Sequence, residues 1–305
     1  MRLVYDPVDM GSGVLVLGMF DGVHRGHQAL LMAGHELASQ YGVPLHVCTF
    51  EPHPLAVLRP ENAPPMLTTL PERAQLMAMF GVDALCVHTF TRSVAAQEPE
   101  DFLAHLERVY RPMAIVAGFN YSFGSRGRGN GEMLMRWGEE HGCKIIIVPK
   151  VEIGGEPVSS TRIRGLLKDG NVHEAARLLG HGYTLGGRVV NGKRIGRTMG
   201  FPTANVAIPA SKALPAYGVY TCWLEDGEKA HAAVVNIGRH PTLPEGAMTV
   251  EAHVLDDSLD LYGKKVRLTL LHFQRPEKTF ADVEELRQQI TQDAEDARAW
   301  FATLT

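Results

Sequence analysis

The sequence predicts an α/β protein of two domains: a doubly wound parallel sheet over residues 1–182, then an antiparallel β-barrel with a terminal helix over residues 183–305. Three observations predict it. In the first half, short apolar runs alternate with stretches of helical spacing. After Gly182 that spacing stops, and β-rich runs follow one another between turn residues. Residues 281–302 then return to helical spacing and carry many charges.

In the first half the candidate strands are residues 14–17, 45–50, 84–87, 114–117 and 144–148. The candidate helices between them are residues 27–40, 71–80, 99–109 and 132–141. Such alternation with short connections implies a parallel sheet covered on both faces. Ligands of these sheets bind at the carboxyl ends of the strands. Residues 18–27 follow the first strand and open the first helix, so they lie where a ligand is expected. One further helix is expected over residues 163–179, ended by Gly180-His181-Gly182. The β-rich runs are residues 184–190, 218–224, 232–236, 249–255 and 265–273, with turns at Asp226-Gly227 and Pro244-Glu245-Gly246. They read as a compact antiparallel barrel that the last helix closes.

The 305 residues carry 30 Lys and Arg against 34 Asp and Glu, a formal charge of −4. That balance excludes bulk electrostatic binding to nucleic acid or an anionic membrane, and leaves room for a locally basic nucleotide pocket. Cys48, Cys86, Cys143 and Cys222 are far apart with no CxxC, which favours buried free thiols over disulfides or zinc. No secretory signal and no run of about 18 apolar residues occurs, so a soluble, cytoplasmic protein is expected. GSRGRGNG, residues 124–131, is the single compositionally biased patch.

Two segments carry phosphate chemistry. In GMFDGVHRGH, residues 18–27, His24 and His27 share one face of a helix start. Gly22 and Gly26 admit close backbone approach, and the helix N-terminus offers free N–H groups to an anion. Two imidazoles there can donate to phosphate oxygens as charge builds. A metal pair is the alternative, and it lacks a nearby third ligand. In VSSTRIR, residues 158–164, Ser159, Ser160 or Thr161 can cap a helix, while Arg162 and Arg164 add an anion-binding fork.

The second segment is GGRVVNGKRIGRTMGFPTANV, residues 186–206. Gly187, Gly192 and Lys193 nearly spell a P-loop, but Arg194 follows where Ser or Thr is needed and no helix pattern comes after. A different backbone nest remains possible, with charge from Lys193, Arg194 and Arg197. Thr203 and Asn205 are neutral oxygen ligands, suited to Mg²⁺ held mainly by ATP phosphates. A surface hairpin with a polar tip is the plain alternative.

GMFDGVHRGH and SSTRIR, with FEPHP (residues 50–54) and GFNYSFG (residues 118–124), resemble the nucleotidyltransferase superfamily. More narrowly, they resemble the adenylyltransferase module of bacterial bifunctional riboflavin kinase/FAD synthetases. GFPTAN, GVY (218–220), NIGRHPT (236–242), VEAHVLD (250–256), DLYG (260–263) and RPEKTF (275–280) resemble riboflavin kinase in the same order. The resemblance implies that the second domain makes FMN and ADP from riboflavin and ATP. It implies that the first makes FAD and pyrophosphate from FMN and ATP, both with Mg²⁺. In the first domain it implies that His24, His27 and Arg164 act on the ATP phosphates, with Gly18, Phe20, Asp21, Ser160, Thr161 and Arg162 binding ATP. Asn120, where the family often has an acidic residue, is implied to lie near the metal and phosphates.

In the second domain the resemblance implies ATP binding by Gly192, Lys193, Gly200, Thr203 and Asn205, with the metal on Thr203 and Asn205. Glu251 is implied as general base for the ribityl 5′-hydroxyl. Leu261, Arg275, Glu277 and Phe280 are implied to contact the flavin. The expected partners are riboflavin, FMN, FAD and ATP, without nucleic acid or membrane. Two rivals stand beside this reading: a flavin-binding sensor that has lost turnover, and an enzyme with one activity only.

Overall fold

The computed structural model describes residues 1–191, 201–239, 248–255 and 259–304. It divides into two compact units, Met1–Ser160 and Thr161–Thr305.

The first unit is built on strands β1 (Arg2–Tyr5), β2 (Gly13–Leu17), β3 (Leu45–Glu51), β4 (Ala84–Thr89), β5 (Pro112–Gly118) and β6 (Lys144–Val148). They form one six-stranded sheet in the order β1-β4-β3-β2-β5-β6, with every neighbour parallel. Its helices are α1 (Arg25–Tyr41), α2 (Pro54–Leu58), α3 (Leu70–Ala78), α4 (Arg92–Ala95), α5 (Pro99–Tyr110) and α6 (Gly131–His141). Successive side chains of β2 enter different cores. Val14 and Val16 pack with Leu31, Val47 and Met77, while Leu15 and Leu17 pack with Phe102, Leu106 and Trp137. A strand buried on both faces must be continuously apolar, and β2 is. The chain winds outward in one direction through β2, β3 and β4 and in the other through β5 and β6. The switch point therefore lies between the carboxyl ends of β2 and β5. A short hairpin, β7 (Glu152–Ile153) with β8 (Glu156–Pro157), follows.

The expected strands and helices of this half are all present, most with ends moved by a residue or two. β1 was not anticipated. RLVY is short, carries Arg2, and lies at the sheet edge with Tyr5 61 % exposed, so it lacks the pattern that marks a strand. The single helix expected over residues 163–179 is two, α7 (Ser160–Lys168) and α8 (Val172–Leu179). Gly170 adopts φ 75°, and the Asn171 side chain accepts the N–H of Glu174 to start the second helix.

In the second unit, β9 (Tyr183–Val190), β10 (Ala204–Ala207), β11 (Gly218–Glu225), β12 (Ala230–Arg239), β13 (Met248–Val254) and β14 (Lys265–Pro276) close a barrel ordered β10-β13-β12-β11-β14-β9. All its pairings are antiparallel. The alternation along β13 sorts side chains by face. Val250, Ala252 and Val254 are buried; Thr249, Glu251 and His253 stay partly exposed. The last helix, α9 (Val283–Ala302), is capped by Asp282, whose carboxylate accepts the Glu285 N–H at 2.8 Å. Its Ala294 and Ala297 pack on Val219 and Val234 of the outer wall. The turn expected at Pro244-Glu245-Gly246 lies outside the described residues. All four cysteines are buried free thiols. Among the described residues no helix is long and apolar enough to cross a membrane.

Candidate functional site

The loop from β2 to α1 is held in an unusual backbone. Phe20, Gly22 and Val23 have φ of 54°, 85° and 40°. Positive φ at a β-branched residue is strained, and such strain persists only where the surroundings fix it. Asp21 does the fixing. Its buried carboxylate accepts the N–H groups of Leu67 and Thr68 at 3.1 and 3.0 Å, and the Thr68 hydroxyl accepts the Gly22 N–H at 2.9 Å. The Ser160 hydroxyl donates to the Asp21 carbonyl at 2.8 Å. Arg73, wholly buried, donates to the Met19 carbonyl at 3.2 Å and to Glu51 at 2.8 Å. No sequence signal had marked Arg73.

His24 caps α1, its Nδ1 accepting the His27 N–H at 3.3 Å. The two imidazoles stack at 3.7 Å between centroids and 15° between planes. Gly26 is needed for this, because a Cβ there would stand 3.1 Å from the His24 ring. Gly18 is likewise needed, with the Phe20 ring 3.0 Å from where its Cβ would be. Burial, and then the neighbouring His24 and Arg73, hold the His27 pKa well below the usual imidazole value. His27 is therefore a neutral donor near pH 7, and its buried Nδ1 has no hydrogen-bond partner among the described residues.

Beside it opens a cleft of about 550 Å³ at the ends of β2, β3 and β5, the switch point of the sheet. Gly18, His27 and Asn120 line one part; Phe50, Phe90, Phe102, Tyr121 and Phe123 line another. The rings support one another, Phe50 against Phe90 at 5.3 Å and Phe102 against Phe123 at 5.4 Å. Of the implied residues, Gly18, His27 and Asn120 thus share the cleft. Phe20, Asp21 and His24 shape the loop behind it. Thr161, Arg162 and Arg164 belong to the second unit, on α7, where both arginines are half-buried. The aromatic lining was missed: its rings come from four separate segments, and sequence spacing does not connect them.

The second unit has its own cavity, about 360 Å³, between the outer wall of the barrel and α9. Thr203, Glu251, Arg275, Glu277 and Phe280 line it, as implied, together with Asn236, His253 and Asp293. In register, Glu251 stands opposite Asn205 on β10 and opposite Asn236 on β12. Directly opposed residues share a face, so three oxygen-bearing side chains meet in one row. His253 donates to the Pro202 carbonyl at 2.9 Å and meets the Phe201 ring edge-on, which fixes the approach to Thr203. Arg275 is gripped by Asp293 through two bonds of 2.7 Å. Its guanidinium lies 6.0 Å over the Phe280 ring. Glu277 closes on Gly238, where a Cβ would be 1.7 Å from its carboxylate oxygen. Leu261 is buried, 5 % exposed, and does not line this cavity. Gly192, Lys193 and Gly200 lie outside the described residues. Asp293 was missed because its partner is 18 residues earlier, on another element.

Residues 7–162 match the family model of FAD synthetase, and residues 179–301 match that of riboflavin kinase. The chain is similar to a bifunctional riboflavin kinase/FMN adenylyltransferase of Escherichia coli K12, 40 % identical over 291 residues, covering 94 % of this chain and 92 % of that one. It is similar to the enzyme of the same name from Listeria monocytogenes, 36 % identical over 293 residues, covering 95 % and 93 %. Among solved structures it is similar to one from Streptococcus pneumoniae described as a macrolide-efflux protein. That likeness has a TM-score of 0.90 and 32 % identity, covering 98 % of this chain and 100 % of that chain.

Proposed function

The chain belongs to the bifunctional riboflavin kinase/FMN adenylyltransferase family, and from that membership we propose how its residues divide the work. It is a bifunctional transferase with an FAD synthetase half and a riboflavin kinase half. The observation that carries the division is the presence of two separate cavities, each lined by the motifs of one half. We set the functional boundary at residues 182/183. The efflux role in the description of the Streptococcus structure belongs to that protein; both family models matching here are of flavin-forming enzymes.

In the barrel, the riboflavin 5′-hydroxyl attacks the γ-phosphorus of ATP. A P–O bond forms to the ribityl oxygen, the γ–β bridge breaks, and ADP leaves. Glu251 takes the hydroxyl proton as the bond forms. Thr203 and Asn205 bind ATP, together with Gly192, Lys193 and Gly200 of the preceding sequence motif. Arg275, Glu277 and Phe280 hold the flavin, Arg275 being fixed for it by Asp293. Thr203, Asn205 and Glu251 present hard oxygen atoms on one face of the sheet, a donor set that fits Mg²⁺. Among the described residues no group of three or more His, Cys, Asp or Glu could hold a metal by itself. The ion would be held mainly by the ATP phosphates, and its chemistry would be to neutralise phosphate charge.

In the first unit, an FMN phosphate oxygen attacks the α-phosphorus of ATP, the α–β bridge breaks, and pyrophosphate leaves. The free N–H groups at the start of α1 and the neutral His27 donate to phosphate oxygens as charge shifts in the transition state. His24 orients His27 through the stack and the cap. The resemblance assigns ATP binding to Gly18, Phe20, Asp21, Asn120 and Ser160, and to Thr161, Arg162 and Arg164 of α7; Asn120 would also be a ligand of the metal. The aromatic part of the cleft takes the isoalloxazine ring. Because both steps consume ATP, we propose that the enzyme acts in the cytoplasm. The test is riboflavin with MgATP, products resolved by chromatography. FMN appearing first and FAD after it is the expected result; absence of either product removes the corresponding half of the assignment.

A further inference from the structure

The adenylyl-transfer cleft must receive two polyanions, yet among the described residues its lining holds a single formally charged side chain, Arg126. His27, on the same lining, is neutral. No other function has been given to the Gly/Arg-rich patch that contains Arg126. Its two arginines are used differently. Arg128 is committed to the fold, ion-paired with Glu98 and donating through Nε to the Ser125 carbonyl at 3.3 Å. Arg126 makes no hydrogen bond or ion pair within the described residues, and its side chain is exposed to the cleft.

The backbone places it there at a cost. Arg126 has φ 55° and ψ 22°, the left-handed region, between Gly124 at 71° and Gly127 at 67°. The loop is closed by the pair of backbone bonds between Phe123 and Gly129, at 3.0 and 2.9 Å. Asparagine or glycine suits such a position better than arginine. An unpaired guanidinium held on strained backbone, at the wall of a ligand cleft, has a use outside the fold.

We propose that Arg126 binds the phosphate of FMN in the adenylyl-transfer cleft and so positions the attacking oxygen. The proposal rests on the adenylyltransferase reading of that cleft. Two sources of phosphate compete for it, and position decides between them. On the reading above, the ATP phosphates take the N–H groups at the start of α1 and His27, and the isoalloxazine ring takes the aromatic lining. Arg126 lies on the same loop as Tyr121 and Phe123, whose rings belong to that lining. The anion nearest Arg126 is therefore the phosphate carried by the flavin. A guanidinium binds two phosphate oxygens in a fixed fork, which orients the group as well as attracting it.

The test compares wild type, Arg126→Asn and Arg126→Lys in full-length enzyme. Asn fits the left-handed backbone, so folding is kept and thermal stability should be unchanged or higher. With supplied FMN, Arg126→Asn should raise the KM for FMN by roughly 10-fold or more, the scale of one lost charge-assisted bond pair. The KM for ATP and the rate of FMN formation from riboflavin should stay within about 2-fold, the size of a contact not made. Arg126→Lys keeps charge without the fork and should fall between the two. An unchanged KM for FMN overturns the proposal, and so does a rise confined to ATP. Wild type that makes no FAD overturns instead the reading of the cleft beneath it, a result the variants cannot imitate.

Discussion

Asp293 is the side chain whose loss should separate the two activities most visibly. Its carboxylate is 6 % exposed and accepts two bonds of 2.7 Å from Arg275, itself 21 % exposed, while Gln289 donates a third at 3.0 Å. Asp293→Asn keeps the shape but removes the charge and turns an N–H₂ group toward a cation. Breaking a buried pair by removing one partner costs about 3–5 kcal/mol when the remaining charge is fully enclosed. Arg275 borders an open cavity and can recover some hydration, so about 2–3 kcal/mol is expected here. For a unit of this size that lowers Tm by about 4–12 °C. Arg275 would also leave its place against Phe280, so the KM for riboflavin should rise, while FAD formation from supplied FMN persists. Thermal unfolding and separate assays of the two steps read both effects. Arg275→Met combined with Asp293→Leu should regain much of the stability without regaining riboflavin affinity. A Tm within about 1 °C of wild type together with normal riboflavin kinetics refutes the reasoning, because thermal shifts that small correspond to well under 1 kcal/mol.

Four other outcomes are expected. A fragment of residues 183–305 should make FMN and no FAD; one starting at Thr161 should do the same with higher stability, because the Leu167 carbonyl of α7 accepts the Ala216 N–H at 2.7 Å. FAD from either fragment would sink the division of labour. His27→Ala should slow FAD formation by about 10²-fold while leaving riboflavin phosphorylation intact, and since the imidazole is already neutral, the wild-type rate should show no step between about pH 6 and 8 from this group. Glu251→Gln should lower FMN turnover by about 10²- to 10⁴-fold with little change in riboflavin or ATP affinity; a normal rate would remove Glu251 from the chemistry. Burial lowers the His88 pKa from 6.5 to about 4, so the folded form binds fewer protons than the unfolded form below pH 6.5. Stability is full above that pH and falls as the pH drops toward 4, by about 3 kcal/mol from this group. Urea unfolding of wild type and His88→Phe at pH 7 and pH 4.5 checks the slope, which should be shallower in the variant.

How much of this was legible in the sequence depended on whether the signal was local. β2, β3, β4 and β5 were readable because inner strands covered on both faces are mostly apolar, β6 because KIIIV is a short run of isoleucine and valine, and α1, α5 and α6 because their apolar faces recur at helical spacing. β1 and β10 were not, since an edge strand of four residues and a strand made of the polar motif ANVA carry no such period. The break in residues 163–179 turned on Gly170, one residue in an otherwise helical pattern. At the sites, His24, His27, Thr203 and Asn205 could be picked out because they fall in short segments with fixed spacing, and Glu251 only through the resemblance of VEAHVLD to the family. Arg73, Asp293 and the ring of aromatic side chains could not. Each acts on a partner far away in sequence, and only the folded chain sets them side by side.

The distribution of carboxylates follows from the chemistry each cavity must perform. The barrel cavity has Glu251, Glu277 and Asp293 on its lining. Its nucleophile is a hydroxyl, which must lose a proton as it attacks, and a carboxylate within reach is worth the repulsion it causes to ATP. The cleft of the first unit has, among the described residues, no Asp or Glu on its lining. Its nucleophile is a phosphate, with a second pKa of about 6 and hence ionised near neutral pH. A base would gain nothing there, and a carboxylate would oppose the meeting of two polyanions. Asn120, on the lining, fits this logic: its amide oxygen and N–H donors would serve a phosphate where a carboxylate would add one more negative charge. Beside the guanidinium of Arg126, the cleft supplies donors that carry no charge of their own, the N–H groups of α1 and a histidine kept neutral by burial. Fixed dipoles stabilise shifting phosphate charge without the cost of burying a compensating ion.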